Sequence, residues 1–174
     1  MSTRYPAATL AVAVVAAALI GCAPAPEPSP TPTPAFASEE EAFAAAEEVY
    51  RAYNEAGNAR IAGESDPDPQ DFLIGEALEA DIDGIRFFDE HNLRLTRGGT
   101  VASIEGIDYS TIGADARVSV LVCLDVSEVR LLDSNDTDVT PPDRGDVVSQ
   151  IVELTGPPAN LRISLESEGE VDRC

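Results

Sequence analysis

The spacing of apolar residues changes near residue 93, and this change limits the folds open to the chain. Between Ser38 and Glu90 apolar side chains recur every three or four residues, as in amphipathic helices. From Leu93 onward they alternate, as in half-buried strands. Helices followed by consecutive strands with short gaps favour an antiparallel sheet over βαβ units. The sequence therefore predicts an α+β domain with N-terminal helices packed on a curved antiparallel sheet of four to five strands.

Two helices are predicted from their caps and apolar faces. Ser38 and Glu41 form a capping box, and the helix should continue to about Ala59 or Ile61. Two Asp-Pro steps then break the chain. The second helix should cover residues 75–90, with Ile82 packing inward and its aspartate neighbours, Asp81 and Asp83, facing solvent. Five strands are predicted at 93–95, 100–107, 116–126, 145–154 and 161–165.

Residues 19–22 read Leu-Ile-Gly-Cys and follow an uncharged apolar run that starts at Ala7. The tetrapeptide resembles the lipobox of bacterial lipoproteins, and Arg4 supplies the positive start of a signal peptide. The run is too short to span a bilayer, for which roughly 20 apolar residues are needed. An ordinary secretory signal or a buried helix would not explain the position of the cysteine. The resemblance implies that Cys22 receives the lipid, including palmitate, and anchors the protein on the extracytoplasmic face of the bacterial cell membrane.

Six prolines alternate with other residues between Pro24 and Pro34. A polyproline II segment rises about 3.1 Å per residue, so residues 23–35 could hold a domain up to ~40 Å from the bilayer. A ligand for an SH3-type domain is the competing interpretation, but a stalk fits the position better. We therefore divide the chain into a signal peptide at 1–21, a lipidated cysteine and proline-rich tether at 22–37, and a single domain at 38–174.

The charge of the chain excludes some partners. There are 11 basic residues, all arginine, against 32 acidic ones, and without Arg4 the difference is 10 minus 32, or −22. Such a surface repels nucleic acid and anionic lipid headgroups, so we predict no nucleic-acid partner. Solubility is the simple explanation for the acidic excess.

Cys22 apart, the chain has two cysteines, Cys123 and Cys174, an even pair in a compartment that permits disulfides. A bridge between them would attach the C-terminus to a predicted strand and close a loop of about 50 residues. Metal ligation is the alternative, but two thiols without a CxxC motif and with a single histidine make a poor site. We predict the disulfide and no metal.

The order of helices and strands is similar to that of the cone-shaped domain in the nuclear-transport-factor-like superfamily. This arrangement of helices on a curved sheet also resembles the cystatin fold. Residues 43–53, 72–78 and 122–127 resemble segments of small actinobacterial lipoproteins of unassigned function. The resemblance implies a cone-shaped α+β domain. It leaves the activity open, because the superfamily contains isomerases, cyclases, dehydratases and non-enzymatic binding domains. Its enzymes place an Asp and a His or Tyr inside the cone, and no such motif can be matched here.

A direct search for chemistry gives few candidates. The single histidine, His91, is expected at the end of the second helix, where it complements the helix dipole. The chain has no HExxH, no glycine-rich phosphate loop and no GxSxG. The acidic segment 133–138 fails the EF-hand pattern, since Asp138 stands where glycine is needed and Arg144 where glutamate is needed. We predict no cofactor and no catalytic residue, and weak calcium binding by the segment stays open.

Two functions remain. The first is a lipid-anchored extracytoplasmic binding or scaffolding domain without catalysis, whose partners are the membrane, through its anchor, and a protein or small molecule of unknown identity. The second is a small isomerase-like or cyclase-like enzyme with one buried carboxylate as base. Asp125 is its candidate, because strand parity places it on the same face as Cys123. We expect water or an arginine to keep Asp125 ionised at the end of its strand. A transport receptor is disfavoured, since it needs two lobes.

Overall fold

A computed structural model of the chain describes residues 35–174. The predicted signal peptide, Cys22 and the prolines of the tether lie outside the described residues. All described residues belong to one compact unit. Among the described residues, its main apolar core is drawn from residues 36–163. Within the described range, no helix combines the length and apolar character needed to cross a membrane.

The first helix, α1 (Glu39–Ile61), begins and ends close to the predicted positions. The Ser38 Oγ accepts a hydrogen bond from the Glu41 amide at 3.1 Å. The Glu41 carboxylate in turn accepts from the Ala37 amide at 2.9 Å, one residue before the N-cap. These bonds satisfy amide donors that the first helical turn leaves without partners. The acidic first turn and the capping box therefore fix where α1 starts.

The second helix and the strands confirm the α+β class. Their bounds are α2 (Gly75–His91), β1 (Arg94–Leu95), β2 (Thr100–Ile112), β3 (Asp115–Asp125), β4 (Leu131–Leu132), β5 (Val147–Gly156) and β6 (Arg162–Glu168). The main sheet has four antiparallel strands in the order β2-β3-β5-β6. The first predicted strand is absent from it, because β1 pairs with β4 in a separate two-stranded sheet. The two-residue β4 was not predicted.

The core lies between the helices and one face of the main sheet. Alternate residues of the central strand β3 point into it, as the period of two requires. Its buried members are Phe36, Ala42, Ala46, Tyr50, Leu73, Ala77, Ala116, Val118, Val120, Val122, Val152, Leu154, Leu161 and Ile163. The prediction assigned Phe36 to the tether, but its ring is buried and packs edge-on against Tyr109 at 6.1 Å between centroids. Packing thus begins two residues before the predicted domain boundary.

The orientation of α2 differs from the prediction. Ala77 near its start is buried, whereas Ile82 is 40% exposed. Asp81, expected in solvent, has a side chain only 9% exposed and faces Arg60 of α1. The prediction was wrong because the apolar stripe of α2 was assumed to cover the core. Burial is confined to the first turns of α2, and its later apolar residues line a cleft.

The disulfide between Cys123 and Cys174 is present, with 5.6 Å between the Cα atoms and a separation of 51 positions in sequence. Cys123 is buried although it alternates with the core-facing residues of β3, so it lies on the sheet face opposite the helices. The C-terminal turn Val171–Arg173 contacts β5. The bridge therefore attaches the end of the chain to the centre of the sheet.

A candidate ligand-binding cleft

Two adjacent cavities lie where the C-terminal end of α1 meets α2 and β1. The outer cavity has a volume of about 430 Å³ and the inner cavity about 220 Å³. Both have Arg60, Ile61 and Leu95 in their walls. We call the two together the cleft. Its combined volume is in the range of small-molecule sites.

The outer cavity has a mainly apolar surface formed by four apolar side chains, although charged residues also line it: Arg60, Asp81, Asp89 and Arg94. Ile61 comes from the last turn of α1, Ile85 and Phe88 from α2, and Leu95 from β1. Gly84 also lies in its wall, and a Cβ added there would meet no atom within 4 Å. The apolar residues that set the helical period of α2 thus contact a cavity, and the glycine keeps space open above the helix.

The inner cavity has a polar floor. The Tyr50 hydroxyl donates a hydrogen bond to Gln150 Oε1 at 3.0 Å, and the Tyr53 hydroxyl donates to Glu166 Oε2 at 3.2 Å. Burial is the main cause that raises the pKa of both tyrosines, and the charge of Glu166 adds to it. Both hydroxyls therefore stay protonated and act as donors. The tyrosines stand three residues apart on α1 and reach side chains on β5 and β6.

Glu166 is a half-buried carboxylate in the wall of the inner cavity. Burial raises its pKa, the hydrogen bond from Tyr53 lowers it, and the charge of Asp81 raises it again, with a net rise. The charged form is therefore less favourable here than in water. Desolvation dominates this balance, and a cationic or hydrogen-bonding ligand would compensate its cost to the charged carboxylate.

An ion pair between Arg60 of α1 and Asp81 of α2 connects the two helices beside the cleft. The guanidinium donates to both carboxylate oxygens of Asp81, at 2.9 and 2.6 Å. The Gln70 amide donates a third hydrogen bond to Asp81 at 3.0 Å. Burial alone would raise the pKa of Asp81, but these hydrogen bonds outweigh it and hold the pKa below its usual value. The pair fixes Arg60 in the walls of both cavities.

The residues singled out in the sequence lie elsewhere. Asp125 is fully exposed, and its carboxylate accepts a hydrogen bond from the Ser127 amide at 2.9 Å. Hydrogen bonds from Ser127 lower its pKa, so Asp125 stays ionised at the end of its strand, as expected. The structure does not support the alternative in which Asp125 is a buried base, because the strand ends before anything covers it. His91 ends α2 as expected, with Nδ1 2.9 Å from the Phe87 carbonyl oxygen, and its side chain is exposed.

The acidic segment 133–138 forms a turn with its carboxylates engaged. Asp133 accepts from two amides inside the segment, which lowers its pKa. Asp136 pairs with Arg94, and Asp138 pairs with Arg130. Within residues 35–174, no three His, Cys, Asp or Glu side chains lie close enough together to hold a metal ion.

Sequence reasoning missed the polar residues of the cleft. Tyr50 and Tyr53 were assigned to the apolar face of α1, and their hydroxyls were the signal available, since a buried tyrosine usually finds a hydrogen-bond partner. Glu166 lies one residue beyond the predicted strand 161–165. Neither Asp81 nor Glu166 has a local sequence signal, because their partners come from other elements.

Replacing Glu166 with glutamine is expected to raise the free energy of unfolding at pH 7.5 and to leave it nearly unchanged at pH 4. The pKa of Glu166 is higher in the folded state, so the native protein binds more protons and stability falls as pH rises from the unfolded value toward the folded one. Glutamine keeps an oxygen for the Tyr53 hydroxyl and removes the charge. Urea unfolding at both pH values measures the difference. An equal effect at both would contradict the assignment.

Comparison with known proteins yields little. No protein-family model matches the chain, and no curated protein matches it. Among solved structures, the crystal structure of the intermembrane space region of the chloroplast protein ARC6 is similar, with 15% sequence identity and a TM-score of 0.48. The match covers 72% of this chain and 95% of that one. Similarity at this level says nothing about function.

Proposed function

We propose that this protein is a lipid-anchored extracytoplasmic domain that binds a small molecule in the cleft and does not catalyse a reaction on it. The supporting observation is that the mainly apolar surface of the outer cavity adjoins an inner cavity with a few hydrogen-bonded polar groups. Ile85 and Phe88 offer apolar surface, and Tyr53 and Glu166 offer a few placed polar groups. Binding sites for small molecules commonly have this composition.

The anchoring part of the proposal is supported by the sequence before the domain. The lipobox-like residues 19–22 and the prolines that follow match a lipidated cysteine with a stalk. The disulfide between Cys123 and Cys174 suits an oxidising compartment. The family resemblance to actinobacterial lipoproteins and to cone-shaped domains belongs to the same proposal.

A second candidate function is proton transfer by Glu166. Its burial and raised pKa are features of a general base, and they replace Asp125 in the enzymatic alternative. The Tyr53 hydroxyl, however, already donates a hydrogen bond to the Glu166 carboxylate and lowers its pKa, which weakens it as a base. Binding is therefore the better supported function.

Filling the outer cavity is expected to abolish ligand binding without unfolding the domain. Gly84→Leu places a side chain in open space, and Gly84→Ala adds one carbon as the matched control. Both should raise stability by up to about 1 kcal/mol, because glycine disfavours the helix interior. A library of small organic molecules is titrated into ¹⁵N-labelled residues 35–174 and followed by NMR. Binders should shift the amides of Ile61, Ile85 and Leu95 in the Gly84→Ala variant.

The same binders should fail to shift those amides in the Gly84→Leu variant. A library without any binder, or binders whose shifts map to other surfaces and survive Gly84→Leu, would count against the proposed function. Circular dichroism of both variants verifies that the helices are intact.

Cys22→Ala is expected to move the protein from the membrane fraction to the soluble extracytoplasmic fraction. The change removes the thiol that would carry the lipid and leaves residues 35–174 unchanged. Fractionation of bacteria expressing both forms, with Cys22→Ser as a second variant, measures the distribution. Protein that stays firmly in the membrane fraction after either substitution would overturn the anchor.

A further inference from the structure

We propose that the ligand of the cleft is an organic cation, with an apolar body in the outer cavity and a protonated amine against the Glu166 carboxylate. This inference rests on the proposed function and adds the chemical class of the ligand. It follows from the charges around the cleft, the hydrogen bonding of Glu166 and the aromatic rings beside it.

The charges of the cleft are unbalanced. Arg60 is paired with Asp81, and Arg94 is paired with Asp136 at 2.5 Å. Glu166 and Asp89 line the cavities, and in the described part of the chain neither has a basic side chain within 4.0 Å. Both arginines of the cleft are thus neutralised, and two carboxylates are left for a ligand. A cation complements this arrangement and an anion is repelled by it.

Glu166 has unused capacity to accept hydrogen bonds. A carboxylate has about four acceptor positions, and within residues 35–174 Glu166 receives a hydrogen bond only from Tyr53, on Oε2. Its partial burial reduces its contact with solvent, consistent with its raised pKa. An ammonium group can donate to Oε1 and supply a charge-assisted hydrogen bond, which is roughly twice as strong as a neutral one.

The aromatic rings beside Glu166 favour the same class of ligand. Tyr53 is half-buried in the wall of the inner cavity, and Tyr50, which is 2% exposed, packs against it with 5.7 Å between ring centroids and 68° between ring planes. A cation within about 6 Å of a tyrosine ring is attracted by the electrons of its face. Glu166 and the neighbouring Tyr53 ring therefore offer a counter-ion and a polarisable wall to a protonated amine.

Three probes with the same octyl chain test the inference: octylammonium, octanol and octanoate. Each is titrated below its micelle concentration into residues 35–174 at pH 7.5, with calorimetry for affinity and NMR for location. Octylammonium should bind in the cleft at least about tenfold more tightly than octanol, the ratio expected for one charged hydrogen bond, and octanoate more weakly than both.

Two glutamine variants distinguish cation binding by Glu166 in the cleft from nonspecific attraction by the acidic surface. Glu166→Gln should reduce octylammonium binding to the level of octanol and leave octanol unchanged, whereas Glu170→Gln removes one exposed charge and should change neither. Octanol equal to octylammonium, tightest binding by octanoate, or an equal effect of the two variants would overturn the inference. In any of these cases the proposed function survives if octanol binds in the cleft of the wild type and this binding is lost in Gly84→Leu. Failure of all three probes to bind in the cleft overturns the inference, and the library experiment decides the proposed function.

Discussion

Cys174→Ser is expected to lower the free energy of unfolding of the domain by about 4 kcal/mol, as the chain-entropy model gives for a loop of this length. The disulfide joins residues 51 apart in sequence and restricts the unfolded chain. Cys174 is exposed, so the substitution leaves no cavity, and the Cys123 thiol stays buried as a small apolar group. Urea unfolding of the oxidised wild type and the variant gives the difference.

Reducing agent provides the matched control for this prediction. It should lower the stability of the wild type to that of Cys174→Ser and should not affect the variant. If the oxidised wild type and the variant unfold at the same urea concentration, the bridge does not constrain the unfolded state as described.

Arg60→Ala is expected to lower the free energy of unfolding by about 2 kcal/mol at pH 7. Two of the three hydrogen bonds that Asp81 accepts come from Arg60, so the substitution leaves the carboxylate with the one from Gln70. Breaking a fully buried pair costs roughly 3–5 kcal/mol, and the value here is lower because the Arg60 side chain is 37% exposed. Arg51→Ala on the same helix is the control: its pair with Glu47 is 44% exposed on both sides and should contribute less than about 0.5 kcal/mol.

The pH dependence gives an independent readout of the same pair. The pKa of Asp81 is lower in the folded state, so its stabilising contribution is present above the unfolded value of 3.8 and is lost as pH falls through the folded value. The difference between wild type and Arg60→Ala should therefore shrink in acid. A loss of stability that stays constant from pH 7 to pH 2 would assign the effect to packing of the arginine stem instead.

Local sequence signals predicted the elements of this fold well. The capping box at Ser38 and the helical period gave the bounds of α1, and alternation gave the four strands of the main sheet. The disulfide between Cys123 and Cys174 was predicted because two cysteines remain besides Cys22 and the predicted compartment permits disulfides. Each of these depends on neighbours in sequence or on a count, so no knowledge of the packing was needed.

The cleft could not be predicted in the same way. The apolar period of α2 is the same whether Ile85 contacts a core or a cavity. The burial of Asp81 depends on Arg60, which lies 21 residues away, and Glu166 meets Tyr53 across 113 residues. Such partners are set by how α1 lies on the sheet. Asp125 was a candidate base only in the enzymatic alternative, and strand parity could not exclude it, because parity fixes the direction of a side chain and not whether anything covers it.

The length of α1 sets where a ligand is encountered. Its 23 residues span about 35 Å, and the chain enters the domain at the start of α1, where Phe36 packs against Tyr109. Arg60 and Ile61, at the opposite end, border the cleft. The helix therefore separates the point where the chain enters the domain from the cleft by its full length. A ligand bound in the cleft would leave the entry point of the chain free, so binding and attachment of the domain to the preceding residues use opposite ends of the same helix.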